Sequence, residues 1–500
     1  MKFLTLYLLI LSYLSASTLN LSMTSSPSRL NPILANDTAS SEISDWLFNG
    51  LFKYDKNGNP TVDLAKSYNF ETPTKLIIKL KENVLWHDKE KFTSKDVIFT
   101  YEKIIDPKVF NSIKSNFKEV ESVKPLDDYT IEVIYKKPYF KALETWMVGI
   151  LPYHLLKDDK DLMTSSFNKN PIGTGSYKLK EFKQGQDIEL IAFENYFEGT
   201  PKIEKILYKF LPDPNTSFLY LKQQKLDIDG LSPIQVDRQL DNNFKNNYTI
   251  MQKPSFSFSY LGFNLKSEKF KDIRIREALS LAINRQELVD ILFFGYGKVC
   301  NGPFLPGSFA YNEEIKTINQ DIEKAKELLK EAGYDENNPF SFEVVTNTGN
   351  DIRINAALIL QYQLQKAGIK MNIRVMEWQA FLNTVVHPRK FEAILLGWSM
   401  ALMPDAYPIW HSSSAKLGGF NLVSYENKEV DNLIEKGNNT INREELGKIY
   451  KEIFKIVTND LPYLFLYIPD SISAVNKNIK NIEPSFVGIM HNQKDWEIEE

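Results

Sequence analysis

The stretch from Asp321 to Val375 constrains the fold more than any other part of the chain. Asp321 is placed to cap a helix whose apolar positions are Ile322, Ala325, Leu328, Leu329 and Ala332. Gly333 is placed to end it in the left-handed conformation that glycine adopts without strain. A strand follows over 340–346. A second helix over 351–367 has Ile354, Ala357, Leu358 and Leu364 apolar and closes on Gly368. Ile369, Met371, Ile373 and Val375 then alternate along another strand. Strand, helix, strand with short connections is a βαβ unit, which makes the two strands parallel and their crossover right-handed. The fold class is α/β.

The rest of the chain carries the same mixture. Leu19, Leu21 and Met23 alternate as one face of a strand, and Ile43, Trp46, Leu47 and Leu51 mark a helix over 40–51. Strands are predicted over 75–81, 129–135, 187–193 and 391–396, and helices over 430–434 and 443–457. The helix over 94–105 has Thr93 or Ser94 as its cap, Asp96 against the N-terminal dipole, and a stripe of Val97, Ile98, Tyr101 and Ile104. A Pro/Gly-rich loop spans 170–177. With no internal repeat, low-complexity tract or long linker, 500 residues exceed what one core serves and predict at least two interwoven lobes.

Lys2, the apolar run 3–14 and the small residues Ser15, Ala16 and Ser17 resemble a secretory leader, too short to span a bilayer. No cysteine follows, so a cleaved signal peptide without a lipid anchor is expected, and with it a periplasmic location. Sixty basic against 64 acidic residues leave no nucleic-acid footprint. Cys300 is the single cysteine and has no partner for a disulfide, metal or redox pair. The five histidines, His87, His154, His387, His411 and His491, show no i,i+4 pair. Gly295-Tyr296-Gly297-Lys298 lacks the rest of a phosphate loop, Gly173-Thr174-Gly175 follows no dinucleotide-type strand, and no nucleophile elbow occurs. These readings predict no catalysis and no cofactor. The 24 Tyr, 32 Phe and 7 Trp suit large cores and a pocket that binds by area burial.

Six ordered segments carry a family resemblance. They are the opening SRLNPILANDTASSEISDWLFNGLFKYDKNGNPTVDLAKSYNF, then LKENVLWHDKEKFTSKDVIFTYEKI, PIGTGSYKLKEFKQGQDIELIAFENYF, YLGFNLKSEKFKDIRIREALSLAINRQELVDILFFGYGK, FEAILLGWSMALMPDAYPIWHSS and PYLFLYIPDSISAVNKNIKNI. Together they resemble the extracellular solute-binding proteins of the oligopeptide/dipeptide/nickel ABC-importer class, family 5. Two departures stand out. Lys89 follows Asp88 where the family often has glycine, and Met400, Ala401 and Leu402 follow Gly397-Trp398, so the first acid is Asp405.

The resemblance implies a two-lobed periplasmic-binding-protein clamshell with mixed sheets and an extra subdomain in lobe one. Its expected boundaries are 1–17 for the signal peptide, 18–262 for lobe one with the subdomain at about 50–165, 263–469 for lobe two, and 470–500 returning to lobe one. Hinge crossings are expected near Leu261–Asn264 and at Pro469-Asp470. The implied function is capture of a short peptide and delivery to an inner-membrane ABC permease by a monomeric receptor. Asp405 is the candidate for the peptide's α-ammonium and Arg353 for its carboxylate, by bidentate pairing. Trp398, Tyr407 and Trp410 are candidates for the pocket wall. The alternative within the fold is a nickel-chelate receptor using His411 or His491. A peptide-sensing or chaperone-like role is the remaining alternative.

Overall fold

The structure, a computed structural model, describes residues 17–499, so the predicted leader lies outside it but for Ser17. Its spine is one fourteen-residue strand, Tyr463–Asn476. The first half of this strand pairs antiparallel with Ser257–Phe263 and Gly297–Val299, and the second half with Ile228–Leu231 and Tyr248–Pro254. Pro469 stands at the changeover, so its missing N–H falls at a break in the ladder rather than inside it. The second connection, 254–257, runs alongside: Ser255 N donates to Pro469 O at 2.9 Å, and Asp470 N to Tyr296 O at 3.2 Å.

Outward from the spine, one half of the sheet runs Ser257–Phe263, Ala393–Ser399, Ser341–Asn347 and Lys370–Met376. The other runs Ile228–Leu231, Thr18–Met23, Lys205–Phe210, Asp187–Ala192 and Tyr177–Lys183. Each half has a parallel centre. Ser341–Asn347 is parallel to both neighbours, and Thr18–Met23 is parallel to both of its own. The predicted βαβ unit is therefore present, with helix Asp351–Lys366 between its strands and Gly333 and Gly368 at φ +91° and +81°. That helix packs through Ala356, Ala357, Leu360 and Leu364, each buried, while Leu358 is half-exposed. Buried Gln363 turns the helix's inner face, accepting from Asn284 N at 2.9 Å. Full burial of Leu360, in the core cluster that also holds Val344 and Leu395, contributes roughly 2 kcal/mol.

A separate four-stranded antiparallel sheet, in the order Ala65–Thr72, Lys75–Leu80, Thr130–Tyr135, Val120–Asp127, forms a subdomain on the first half. Helix Ser94–Ile105 covers it. Asp96 accepts from Thr93 N at 2.8 Å and from Tyr153 N at 2.9 Å, tying the helix start to the short helix Tyr153–Leu156. Burial still pushes the Asp96 carboxyl up to about 6.

The helix predicted over 40–51 is observed as Thr38–Leu47, because another segment caps it. Gly175 N donates to Leu47 O at 2.9 Å. A Cβ on Gly173 would lie 1.7 Å from Leu47 O, and one on Gly175 would lie 2.2 Å from Trp46 O, so the GTG loop tolerates no side chain there. His87 holds that loop from behind. Its Nδ1 accepts from Gly173 N at 3.1 Å and its Nε2 lies 3.0 Å from Gly175 O, which places the ring proton on Nε2. Burial pushes the imidazole down to about 4. The WHD and GTG segments thus fix the end of one helix. Among the described residues no helix is long and apolar enough to cross a membrane.

Candidate functional site

The loop after strand Ala393–Ser399 meets the subdomain across the gap between the halves. Lys141 Nζ lies 2.6 Å from Asp405 Oδ2, with both side chains about a quarter exposed. Phe140 N donates to Asn438 O at 3.2 Å, and Arg443 pairs with Glu144. The Arg443 guanidinium lies 4.9 Å above the Phe309 ring. These contacts join residues 140–144 of one half to residues 309–443 of the other.

A cavity of about 510 Å³ opens in the first half, on the side that faces the second. Helix Thr38–Leu47 supplies Glu42 and Asp45, the hairpin after it supplies Phe52 and Tyr54, and the C-terminal segment 487–495 closes one side. Leu402 reaches the same cavity from the opposite half. Lys53 pairs with Asp63 at 3.2 Å and with Glu198 at 3.3 Å, so those two acids are compensated. Glu42 and Asp45 have no basic partner among the described residues. Burial raises the Glu42 carboxyl despite a hydrogen bond from Tyr208, whose hydroxyl also accepts from Trp46 Nε1 at 2.9 Å. Asp45 is open to the cavity yet crowded by protein; burial first and the Glu42 charge second push it up to about 6.

The predicted site residues fall into three groups. Trp398 and Trp410 are joined through an aromatic tier: Trp398 stacks on Tyr260 at 6.1 Å, Tyr260 on Tyr463 at 3.9 Å, and Tyr463 meets Trp410 at 4.9 Å. Trp398 is part-exposed, whereas Trp410 is 1% exposed and packs inside the second half. Asp405 and Tyr407 share a turn, with Tyr407 N donating to Asp405 Oδ1 at 3.1 Å and the Tyr407 ring stacked on His411 at 4.3 Å. Arg353 stands apart. A side chain at Gly397 would point to within 3.8 Å of Arg353 Nη2, so Arg353 and Trp398 address opposite faces of the same strand. Arg353 donates to Asn347 Oδ1, and among the described residues no carboxylate pairs with it.

The two candidate histidines, His411 and His491, have separate partners. His411 Nε2 lies 3.5 Å from Glu435, and its Nδ1 2.8 Å from Ser413 Oγ. His491 lines the cavity, with Nδ1 3.1 Å from Ser485 Oγ and from Gly488 O. Among the described residues no group of three His, Cys, Asp or Glu side chains could hold a metal ion. Sequence reasoning missed Lys141, Glu42 and Asp45. Lys141 carries no local signal, being 264 positions from Asp405. The acids sit three apart on the polar side of a helix read only for its apolar side, and that spacing was the available clue.

Comparison with known proteins supplies the family. The model for bacterial extracellular solute-binding proteins, family 5 (middle) matches residues 59–419. The oligopeptide-binding protein AppA of Bacillus subtilis is 34% identical over 493 residues, covering 94% of this chain and 89% of its own. The solved structure of AppA with a nonapeptide superposes with a TM-score of 0.74 at 31% identity over 97% of this chain and 99% of that one. NikZ from Campylobacter jejuni, in complex with Ni(L-His), gives 0.75 at 31% identity, over 96% and 99%. The substrate-binding protein CtaP from Listeria monocytogenes gives 0.84 at 27% identity, over 97% and 100%. All are two-lobed binding proteins of mixed α/β build, and the chain described here belongs to the family 5 extracellular solute-binding proteins.

Proposed function

We propose that the protein is the periplasmic receptor of an ABC importer, a monomer that closes its two lobes on a short peptide and delivers it to a membrane permease without chemically altering it. The observation that carries this reading is the cavity of the first half, walled by helix Thr38–Leu47 and reached by Leu402 from the second half, in a fold whose halves are joined by two adjacent connections. A guest touching both walls stabilises the closed arrangement by its differential affinity for it.

In this reading lobe one is 18–254 plus 470–499, lobe two is 257–469, and the subdomain at about 50–165 is built on its own sheet. The first crossing then falls at 254–257 rather than at Leu261–Asn264, because Ser257–Phe263 pairs along its length with strands of lobe two. Arg353, a part-buried guanidinium with no carboxylate partner among the described residues, is the proposed reader of the ligand's carboxylate, and Trp398 the aromatic wall. Asp405 receives an ammonium group already, that of Lys141, so a peptide's α-ammonium reaches it only by exchange. Trp410 backs the wall from within.

A second reading, a nickel–chelate receptor, is favoured by one observation: His491 lines the cavity, and the similar NikZ was solved with Ni(L-His). Native mass spectrometry of protein purified from its own host, followed by calorimetry with the peptides found and with nickel plus histidine, separates the two. Co-purified peptides with saturable binding support the first reading; binding of nickel–histidine alone rejects it.

A further inference from the structure

The C-terminal segment that closes one side of the cavity also reaches the proposed hinge. Its base is fixed in the first half. Strand Ile479–Lys480 pairs with Glu497–Ile498, and the buried Trp496 meets Trp46 edge-on at 6.5 Å. Between these ends lies a tight turn over 485–488, closed by Gly488 N donating to Ser485 O at 3.1 Å and Ser485 Oγ donating to Gly488 O at 2.7 Å. The turn holds the Phe486 ring among three neighbours. Phe256, in the connection 254–257, meets it edge-to-face at 5.3 Å. A Cβ on Gly58 would lie 3.0 Å from Cδ1 on one edge of the ring, and a Cβ on Gly307 would lie 2.6 Å from Cδ2 on the other. Both glycines have positive φ, +79° and +91°. Gly58 lies between the paired strands Phe52–Tyr54 and Pro60–Val62 of the first half. Gly307 lies in a loop of the second half, where Phe304 packs on Tyr450 at 5.2 Å. Lys253 fastens the arrangement, with Nζ donating to Phe486 O at 3.4 Å and standing 4.6 Å over the Phe256 ring.

We infer, building on the two-lobed receptor reading above, that Phe486 is a stop that limits the angle between the lobes, a single ring wedged between backbone of both halves beside the connection about which they turn. Rotation that brings Gly307 towards Gly58 compresses the ring against backbone, where close packing leaves no slack. The opposite rotation only parts the contact. The other links between the halves are more compliant. Lys141–Asp405 and Arg443–Glu144 join long side chains that follow a small rotation, and the more exposed of the two is weakened by salt. The stop is continuous with the cavity's own wall, since Val487, the next residue, and His491 both line the cavity, and His491 Nδ1 lies 3.1 Å from Gly488 O. Phe486 is thus a positioning residue: it acts on binding through the fraction of molecules held at the competent angle, not by touching the guest.

The test is pulsed electron–electron resonance on the empty protein, with nitroxides on Leu219→Cys in the first half and Lys330→Cys in the second, both exposed helix positions. The native Cys300 is buried and shielded from the label. With Phe486 in place, one narrow inter-lobe distance is expected, the same in low and high salt. Phe486→Ala is expected to widen the distribution about twofold, Phe486→Leu to fall between, and Phe486→Tyr, which keeps the ring, to stay narrow. Circular dichroism checks that each variant is folded, and Phe486→Leu carries the comparison if the alanine variant is not. A broad distribution with Phe486 in place, or an unchanged width when a folded variant lacks the ring, overturns the stop and leaves the receptor reading standing. A tryptic digest of casein, as a mixed-peptide probe, and nickel plus histidine test that reading separately. A shifted distance with either supports a receptor that closes on a guest; no shift with both overturns it, whatever the Phe486 variants show.

Discussion

Acid should weaken this protein through one imidazole in particular. His87 is 6% exposed, wedged between the backbone groups of Gly173 and Gly175. Its Nδ1 already accepts an N–H, so a second ring proton would face a donor at 3.1 Å. Burial holds its folded pKa at about 4, against an ordinary value of 6.5. The unfolded chain therefore binds the proton first. Stability is unaffected above pH 7 and falls as pH drops through 6.5 towards 4. The full gap of 2.5 pKa units corresponds to about 3 kcal/mol at 1.36 kcal/mol per unit, of which about 2 kcal/mol is lost by pH 5. Urea melts of wild type and His87→Gln at pH 7.5, 6.5, 5.5 and 5.0 isolate this contribution from other titrations. Gln cannot charge, so the variant should begin less stable by about 1–3 kcal/mol, from its lost hydrogen bonds, and the difference from wild type should shrink by about 2 kcal/mol as pH falls. A difference that stays constant across that range would refute the assignment of a neutral, buried staple.

Other substitutions probe the site and its support. Gly175→Ala should cost roughly 3 kcal/mol, seen as a lower urea midpoint, because its Cβ would lie 2.2 Å from Trp46 O; an unmoved midpoint contradicts the close approach. Lys141→Met should change the melting temperature little, since a pair exposed to this degree contributes about 0–1 kcal/mol, yet strengthen peptide binding if the ligand's ammonium competes for Asp405. Asp405→Ala should weaken binding of free-amine peptides but not of acetylated ones, and equal affinities in both variants would remove Asp405 from the site. Arg353→Met should abolish discrimination between free-carboxylate and amidated peptides; retained discrimination would place carboxylate recognition elsewhere.

The parts of the fold legible in the sequence are those whose signals are local. Helix Ser94–Ile105 has its cap and stripe within thirteen residues, and the βαβ unit around Asp351–Lys366 has its glycine stops. The strand that joins the halves was harder to see. Tyr463–Asn476 carries Pro469 in its middle, which argues against a central strand unless the partners change there. The same long-range pairing is the reason the proposed first crossing lies at 254–257. Asp405 was legible as a candidate from its motif, but its engagement by Lys141 depends on how residues 140–144 dock against the other half. Glu42 and Asp45 read as an ordinary solvated helix face, and only the fold shows that they line a cavity.

Small-angle scattering of the mature protein, with and without a saturating peptide identified by co-purification, addresses lobe closure directly. Rotation about 254–257 and 469–470 around a guest predicts a smaller radius of gyration in the loaded protein, reversed when the peptide is removed. Superimposable curves at full occupancy would contradict a receptor that works by shutting two rigid lobes.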